Sequence, residues 1–199
     1  MGRKSIATQR RKEVINAFYD TAREIGLENT SIAKVANKMN ISQGLVMHYF
    51  KTKDELLIGL NKFILEQHLK IINAPEYPEM DTRKSLEEFI TSLFSRKWNQ
   101  YFDDGVFYSC YALIYRIPEF KQEFKSYLEE LHLVLNEKLA KAGELNVIKN
   151  DNIDELTEII FALIDGAYYY LGLFDENNPA YRRQENLYIN YAIKLLDFS

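Results

Sequence analysis

The chain has 199 residues, of which 47% are hydrophobic and 14% aromatic, and its formal net charge is −4 at pH 7. Its single cysteine, Cys110, excludes an intrachain disulfide framework and indicates a reducing compartment. No apolar run reaches the roughly 18 residues of a membrane span, and the first residues lack the apolar segment of a secretory signal. We therefore expect a globular cytoplasmic protein with no membrane partner.

Helix is the only regular structure that the chain favours, because it has four prolines, eight glycines and no run of alternating β-branched residues. The predicted fold is all-α with about nine helices. An arm containing Arg3 and Lys4 is expected to be disordered, and it either reaches a nucleic acid or only aids solubility. The helices predicted after this arm cover about 8–25, 32–39, 43–50, 53–73, 82–101, 106–117, 118–142, 152–174 and 179–198.

Residues 31–53, SIAKVANKMNISQGLVMHYFKTK, predict two short helices joined by a tight turn. Thr30 or Ser31 can cap the first helix, and Ser42 can cap the second. Asn40 tolerates the left-handed conformation that a sharp turn requires. Such a pair of helices is typical of proteins that read DNA. The alternative is a helical hairpin buried in a larger bundle.

The second helix of this pair is predicted to have two different faces. Three residues at helical spacing can face a core, namely Val46, Tyr49 and Phe50. Polar or small residues lie on the other side, namely Gln43, Gly44, Met47 and His48. Glycine inside a helix costs about 1 kcal/mol relative to alanine, so Gly44 indicates a close approach of the helix backbone to DNA.

The positive charge of the chain is concentrated near its start. Residues 1–53 contain ten lysines and arginines against four acids, whereas the remainder contains fifteen against twenty-five. The cations at positions 10–12 oppose the dipole of the first helix, so DNA binding explains them better. A local basic surface of this kind predicts DNA binding that weakens steeply as salt rises.

The segment VAxxMNISQGLVMHYFKTKDELL resembles the DNA-binding signature of the tetracycline-repressor (TetR/AcrR) family of transcription regulators. The resemblance implies a helix-turn-helix domain over residues 1–52 and a helical ligand-binding and dimerisation domain over residues 53–199. It implies no cofactor, metal or catalytic residue. The DNA-binding residues inferred from it, with the two capping serines included, are Ser31, Ser42, Gln43, Gly44, Leu45, Met47, His48, Tyr49 and Lys53.

Aromatic residues are concentrated in the fifth, sixth and eighth predicted helices. Aromatic faces can enclose an apolar or cationic effector, and a quaternary ammonium over a ring gains roughly 0.5–2 kcal/mol per contact. The alternative is that these rings are ordinary core. The candidate ligand-binding residues are Trp98, Phe102, Phe107, Tyr111, Tyr115 and Tyr169, with Asp103, Asp104 and Asp165 as candidates for an acidic wall.

Three segments are similar to the choline-responsive BetI branch of the family, namely RRxxVIxAF, HYFKTKDELL and ALIDG. This similarity implies a quaternary amine as the effector. A lipophilic cation or another hydrophobic effector is equally compatible with the residues.

The eighth and ninth predicted helices carry long apolar stripes, and the resemblance implies a homodimer formed by these two helices. Gly166 would permit a close helix crossing. The alternative, that the stripes are intramolecular core, explains one face of each helix but not both. We call the helix-turn-helix domain the reading head. A two-fold pair of reading heads about one DNA turn apart, ~34 Å, matches a palindromic operator. The stripe residues are Ile159, Ile160, Leu163, Ala167, Tyr170, Tyr188, Tyr191, Ala192 and Leu195.

The predicted function is a TetR-type transcription regulator, a repressor that a small effector releases from double-stranded operator DNA. A nonspecific architectural DNA-binding protein is one rival, and a helical enzyme is the other. The chain has no nucleotide-binding glycine loop, HExxH motif or nucleophile elbow, and its histidines at 48, 68 and 132 share no ligand spacing. Cys110, with Tyr108 and Tyr111 nearby, is expected to be buried and not to sense redox state.

Overall fold

The computed structural model describes residues 3–72, 80–96, 103–149, 152–175 and 177–199. Within these ranges the regular elements are helices, which confirms the all-α prediction. A 3-10 turn over Ala112–Tyr115 follows the sixth helix. The nine helices in these ranges are α1 Arg3–Ile25, α2 Ile32–Lys38, α3 Gln43–Tyr49, α4 Lys53–Ile72, α5 Arg83–Leu93, α6 Asp104–Tyr111, α7 Pro118–Glu144, α8 Ile153–Leu171 and α9 Pro179–Leu195.

The chain forms two compact units. The first consists of residues 1–68 and 99–127, and the second of residues 69–98 and 128–199. The first unit therefore combines α1–α3 and most of α4 with α6 and the beginning of α7. The division of the chain at residues 52 and 53 stays a prediction.

In the first unit, α1, α2 and α3 pack against one another. The side chains between them are apolar and almost completely buried, namely Val14, Phe18, Val35, Val46 and Phe50. α1 thus packs against the buried face of the helical pair predicted for residues 31–53. Its apolar spacing gives it one buried face, and the opposite face is left exposed.

α1 begins at Arg3, about one turn earlier than predicted, so the expectation of a disordered arm at Arg3 and Lys4 is wrong. The cause is local. Residues 3–8 contain no glycine or proline, and they include Arg3, Lys4 and Ala7, which are good helix formers. α1 ends as predicted at Gly26, whose φ of 83° few other residues adopt without strain.

α5 and α6 are shorter than predicted. α5 ends at Leu93 instead of near residue 101, and α6 ends at Tyr111 instead of 117. The chain after α6 tightens into the 3-10 turn before Pro118 begins α7. A residue that precedes proline is disfavoured in the α-helical conformation, which explains a break at this point.

The second unit is built from α5, the later part of α7, α8 and α9. α9 packs against both α8 and α5. Its C-terminal residues are tied down, because Ile148 and Phe198 form an isolated antiparallel bridge and the Arg83 guanidinium lies 4.5 Å from the centroid of the Phe198 ring. The core side chains include Leu86, Phe89, Leu135, Leu139, Ile160, Ala167 and Ala192.

Candidate nucleic-acid interface and effector region

The connection between α2 and α3 is a tight turn with a left-handed residue. Ser31 caps α2 by accepting a hydrogen bond from the backbone N–H of Lys34 at 3.3 Å. Asn40 has a φ of 59°, as predicted, and the N–H of Ile41 donates to the carbonyl oxygen of Ala36 at 3.0 Å. Together with the bond from the Asn40 N–H to the Asn37 carbonyl oxygen at 3.1 Å, this bond forms a Schellman motif, which ends α2 and sets the direction of the chain into α3.

α3 has one buried and one exposed face. Ser42 caps it by accepting a hydrogen bond from the N–H of Leu45 at 3.2 Å. Val46 and Phe50 are buried, and Tyr49 is half-buried with its ring edge-on to His48, the centroids being 5.2 Å apart. The other predicted DNA-binding residues of α3 are all exposed, namely Gln43, Gly44, Leu45, Met47 and His48.

Gly44 is not required by the packing of this chain. A Cβ atom added to it would meet one neighbour within 4 Å among the described residues, the Ser42 hydroxyl oxygen at 3.9 Å. Its backbone is not in the left-handed region. The cost of a helical glycine, about 1 kcal/mol, therefore has no compensation from packing among the described residues. An external surface that approaches α3 closely would supply one.

The basic residues around α3 differ in their partners, although sequence reasoning treated them alike. Lys38 Nζ lies 2.6 Å from a Glu24 carboxylate oxygen, and Lys34 Nζ donates to the Asn29 carbonyl oxygen at 2.9 Å. Lys53 is exposed in the first turn of α4. Its ammonium and the positive end of the α4 dipole both favour an anion there.

Arg11 contacts the C-terminal end of α3. Its Nη1 donates to the carbonyl oxygen of Tyr49, and its guanidinium carbon lies 4.1 Å from the centroid of the Phe50 ring. Sequence reasoning missed both contacts and assigned Arg10, Arg11 and Lys12 together to DNA. No sequence signal identifies the contacts, because they join residues 38 and 39 positions apart.

Tyr19, on α1, contacts both α4 and α6 within the first unit. Its hydroxyl oxygen accepts a hydrogen bond from the N–H of Asp103 at 2.6 Å, and its ring meets that of Phe63 with centroids 5.4 Å apart. The Asp103 carboxylate caps α6 by accepting from the N–H of Val106 at 3.0 Å. Burial raises the pKa of Tyr19, and the Asp103 N–H opposes this. One buried side chain thus connects three helices.

Two predicted effector residues, Phe107 and Tyr111, belong to an aromatic cluster in the first unit. Their rings are stacked with centroids 6.4 Å apart. Phe124 of α7 meets them edge-on at 5.9 and 5.4 Å, and Tyr127 lies 6.4 Å from Phe124. Sequence reasoning missed Phe124 and Tyr127. The signal for them was their spacing of three residues on the predicted seventh helix.

The other predicted effector residues are not in this cluster. Trp98 and Phe102 lie outside the described residues. Tyr115 is 80% exposed on the 3-10 turn, and Tyr169 is 64% exposed on α8 of the second unit. Of the acidic candidates, Asp103 already serves as the cap of α6. A role for these residues in effector binding stays a prediction.

Cys110 is fully buried in α6, which confirms the expectation of burial. The loss of solvation raises the pKa of its thiol to about 12. A thiol reacts with oxidants as its thiolate, which is scarce at neutral pH when the pKa is that high. The structure thus offers no support for redox sensing by this residue.

The apolar stripes of α8 and α9 divide into two faces. Ile160, Ala167 and Ala192 are buried inside the second unit. Exposed apolar residues lie on the remaining surface of these helices and, in the case of Leu173, in the turn just after α8, namely Ile159, Tyr169, Tyr170, Leu173, Leu187 and Tyr191. A Cβ atom added to Gly166 would have no described neighbour within 4 Å. Intramolecular packing therefore accounts for one face only.

The second unit also has an open depression of about 540 Å³ at the end of α7, lined in part by Glu144, Lys149 and Ile153. None of the predicted effector residues that the structure describes lines it. In the described ranges, no group of three or more His, Cys, Asp or Glu side chains is arranged to hold a metal ion. No helix there is both long and apolar enough to cross a membrane.

Two family models match the chain. The one described as bacterial regulatory proteins, tetR family, matches residues 18–60. The one described as tetracyclin repressor-like, C-terminal domain, matches residues 81–198, which is more than half of the chain.

The chain is also similar to individual proteins. The HTH-type transcriptional regulator BetI of Stenotrophomonas maltophilia is 37% identical over 67 residues, 34% of each protein. BetI of Burkholderia thailandensis is 43% identical over 56 residues, 28% of this chain and 29% of that protein. The matched segments thus span about a third of the length of these curated relatives.

Solved structures resemble nearly the whole chain. A TetR-family transcriptional regulator from Cytophaga hutchinsonii matches with a TM-score of 0.76 at 14% identity, covering 96% of this chain and 94% of that one. A TetR transcription regulator from Haloarcula marismortui matches with a TM-score of 0.75 at 18% identity, covering 95% and 97%. At such identities these matches establish the fold alone.

Proposed function

This chain belongs to the tetR family of bacterial regulatory proteins, and we propose on that premise that it is a dimeric repressor of transcription that binds a palindromic operator. The observation that carries the proposal is the exposed face of α3. The opposite face of this helix is packed into the core through the buried side chains of Val46 and Phe50. An α-helix supported in this way can enter a major groove, which is roughly 12 Å wide.

Each exposed residue of α3 has a role in this proposal. Gln43 and His48 offer hydrogen-bonding groups to base edges, and Leu45 and Met47 offer apolar contacts to thymine methyl groups. Gly44 lets the helix backbone approach the DNA. Ser31 and Ser42 cap α2 and α3, and they hold the first turn of each helix in the position that faces the groove.

Lys53 is proposed to contact a phosphate, because it is exposed at the positive end of α4. Such a contact carries no base preference. It contributes to the affinity for any duplex and to the salt dependence of binding.

The proposed dimer interface is the exposed apolar face of α8 and α9, together with Leu173 in the turn just after α8. Leu173 is 70% exposed and Tyr191 is 55% exposed, which is costly for large apolar side chains that meet only water. The open space over Gly166 allows a helix of a second copy to approach closely. A two-fold pair built on this face would present two reading heads to a palindromic site.

The proposed effector is a small hydrophobic or cationic molecule that binds aromatic side chains. The aromatic cluster of Phe107, Tyr111, Phe124 and Tyr127 supports this class, because ring faces attract both apolar groups and quaternary ammonium ions. The similarity to proteins named BetI extends over about a third of their length and does not identify the effector of this chain.

The proposed regulation is release of the operator when the effector binds. Tyr19 supports a route, since it joins α1 of the reading head to α4 through Phe63 and to α6 through Asp103. A shift of α4 or α6 would then move α1. Thermodynamic linkage requires that the operator weaken effector binding by the same factor, typically 1–3 kcal/mol of coupling.

The test begins with selection of a duplex from a random DNA library by the purified protein. We expect a palindromic consensus, bound by a dimer in sedimentation experiments. Gln43→Ala and His48→Ala should relax base preference. Lys53→Ala should weaken binding to all sequences and reduce the slope of log affinity against log salt concentration. A nonspecific architectural protein would enrich no consensus, and this outcome would overturn the proposal.

Induction is tested by a thermal-shift screen of quaternary amines, bile acids, fatty acids and cationic dyes. A compound that stabilises the protein is then titrated with and without the selected duplex. Equal affinities in the two titrations would overturn the proposed release mechanism and leave the DNA-binding role intact.

A further inference from the structure

The most unexpected contact near α3 is made by Arg11 of α1. Its guanidinium donates to the backbone carbonyl of Tyr49, the last residue of α3, and lies over the ring of Phe50 at 4.1 Å from the centroid. We refer to these three residues as the Arg11 clamp. The ring of Phe50 is itself buried, so the clamp connects an exposed cation to the core of the head.

The clamp meets a need that the end of α3 creates. The last carbonyl groups of a helix have no intrahelical N–H partner, and their dipoles leave a partial negative charge. α3 has only seven residues, and the chain leaves it at Phe50 in an extended conformation. A guanidinium here satisfies one of the carbonyls and complements the dipole.

We propose that Arg11 is a positioning residue, which fixes the axial and rotational position of α3 relative to α1 and thereby sets the register of the base-reading side chains. In this role Arg11 does not count among the phosphate contacts. The inference rests on the proposed DNA-binding function. It gives Arg11 a role different from that of its neighbours Arg10 and Lys12. Arg10 is paired with Glu13, and Lys12 is exposed.

The chemistry of the clamp requires arginine specifically. A guanidinium is planar, so it can donate a hydrogen bond in its plane while its face covers an aromatic ring. The ammonium of lysine is a point charge on a flexible stem and does not combine these two contacts in one geometry. A phosphate contact, in contrast, needs mainly the positive charge, which lysine keeps.

This difference makes Arg11→Lys the decisive variant. We compare its affinity for the duplex selected by the wild type and for a random duplex, over a series of salt concentrations. A positioning role predicts about a tenfold or greater loss of affinity for the selected duplex, and little change for the random one. The slope of log affinity against log salt for the random duplex should stay that of the wild type.

Arg11→Ala and Lys12→Ala complete the comparison. Arg11→Ala should resemble Arg11→Lys in its loss of selectivity. Lys12→Ala removes the same charge at the adjacent exposed position, and it should leave the ratio of selected to random affinity unchanged. A phosphate contact by Arg11 predicts the opposite pattern, in which Arg11→Lys is normal and Arg11→Ala lowers the salt slope by about 0.9 for each head.

Folding is followed by thermal unfolding, and binding is measured well below the midpoint of every variant. If Arg11→Ala does not fold, Phe50→Leu provides a second route, because it keeps an apolar side chain but removes the ring face. The clamp predicts that the losses in selectivity of Arg11→Lys and Phe50→Leu are not additive. Hydrogen exchange of the Phe50 amide should also quicken in Arg11→Lys.

The result that supports the proposal is selectivity lost in Arg11→Lys, with an unchanged salt slope and faster exchange at the end of α3. Wild-type selectivity in Arg11→Lys would overturn it. If the wild type itself selects no duplex, the proposed function fails, and this result is distinct from failure of the clamp.

Discussion

Replacement of Asn61 by leucine is expected to stabilise the folded protein. Asn61 is fully buried on α4, and neither its Oδ1 nor its Nδ2 has a hydrogen-bond partner among the described residues. A buried polar group without a partner costs about 1–3 kcal/mol, and leucine has the same branched shape without polar atoms. The free energy of unfolding should rise by about 1–3 kcal/mol, and the melting temperature by roughly 2–4 °C for each kcal/mol.

The assay is urea and thermal unfolding followed by circular dichroism at one fixed protein concentration, because dimerisation makes apparent stability depend on concentration. Asn16→Leu, at an exposed position of α1, is the control and should change stability by no more than about 0.5 kcal/mol. Asn61→Ala removes the amide without adding methyl groups. If Asn61→Leu and Asn61→Ala both strongly destabilise the protein, the amide is satisfied, for instance by a buried water, and the reasoning is refuted.

Three further predictions concern the turn, the cysteine and the dimer. Asn40→Ala should cost roughly 1 kcal/mol in urea unfolding because of the positive φ, whereas Asn40→Gly should not; equal losses would contradict this. Cys110, with its pKa raised to about 12, should resist iodoacetamide at pH 8 until urea unfolds the protein, as followed by mass spectrometry; rapid native alkylation would refute it. Leu173→Glu combined with Tyr191→Glu should sediment as a helical monomer, and Leu133→Glu on α7 should not; a persistent dimer would exclude the proposed face.

The features that the sequence alone determined are those set by neighbours in the chain. Ser31, Ser42 and Asn40 were predicted because caps and left-handed turns depend on hydrogen bonds within a few residues. The buried face of α3 followed from helical spacing. The early start of α1 was missed, although the helix formers at its start, Arg3, Lys4 and Ala7, are also a local signal. The resemblance to the TetR/AcrR family was likewise carried by one short segment, residues 35–57.

Only the tertiary structure decided which distant residues meet. Arg11 contacts Tyr49 across 38 positions, and Tyr19 contacts Asp103 across 84. Hydrophobic periodicity shows that one face of a helix is apolar. It does not show whether that face is buried by another helix of the same chain or by a second molecule. The exposure of Tyr191 beside the buried Ala192 became evident only once α8 and α9 were packed. Such contacts depend on how helices pack, which no local pattern encodes.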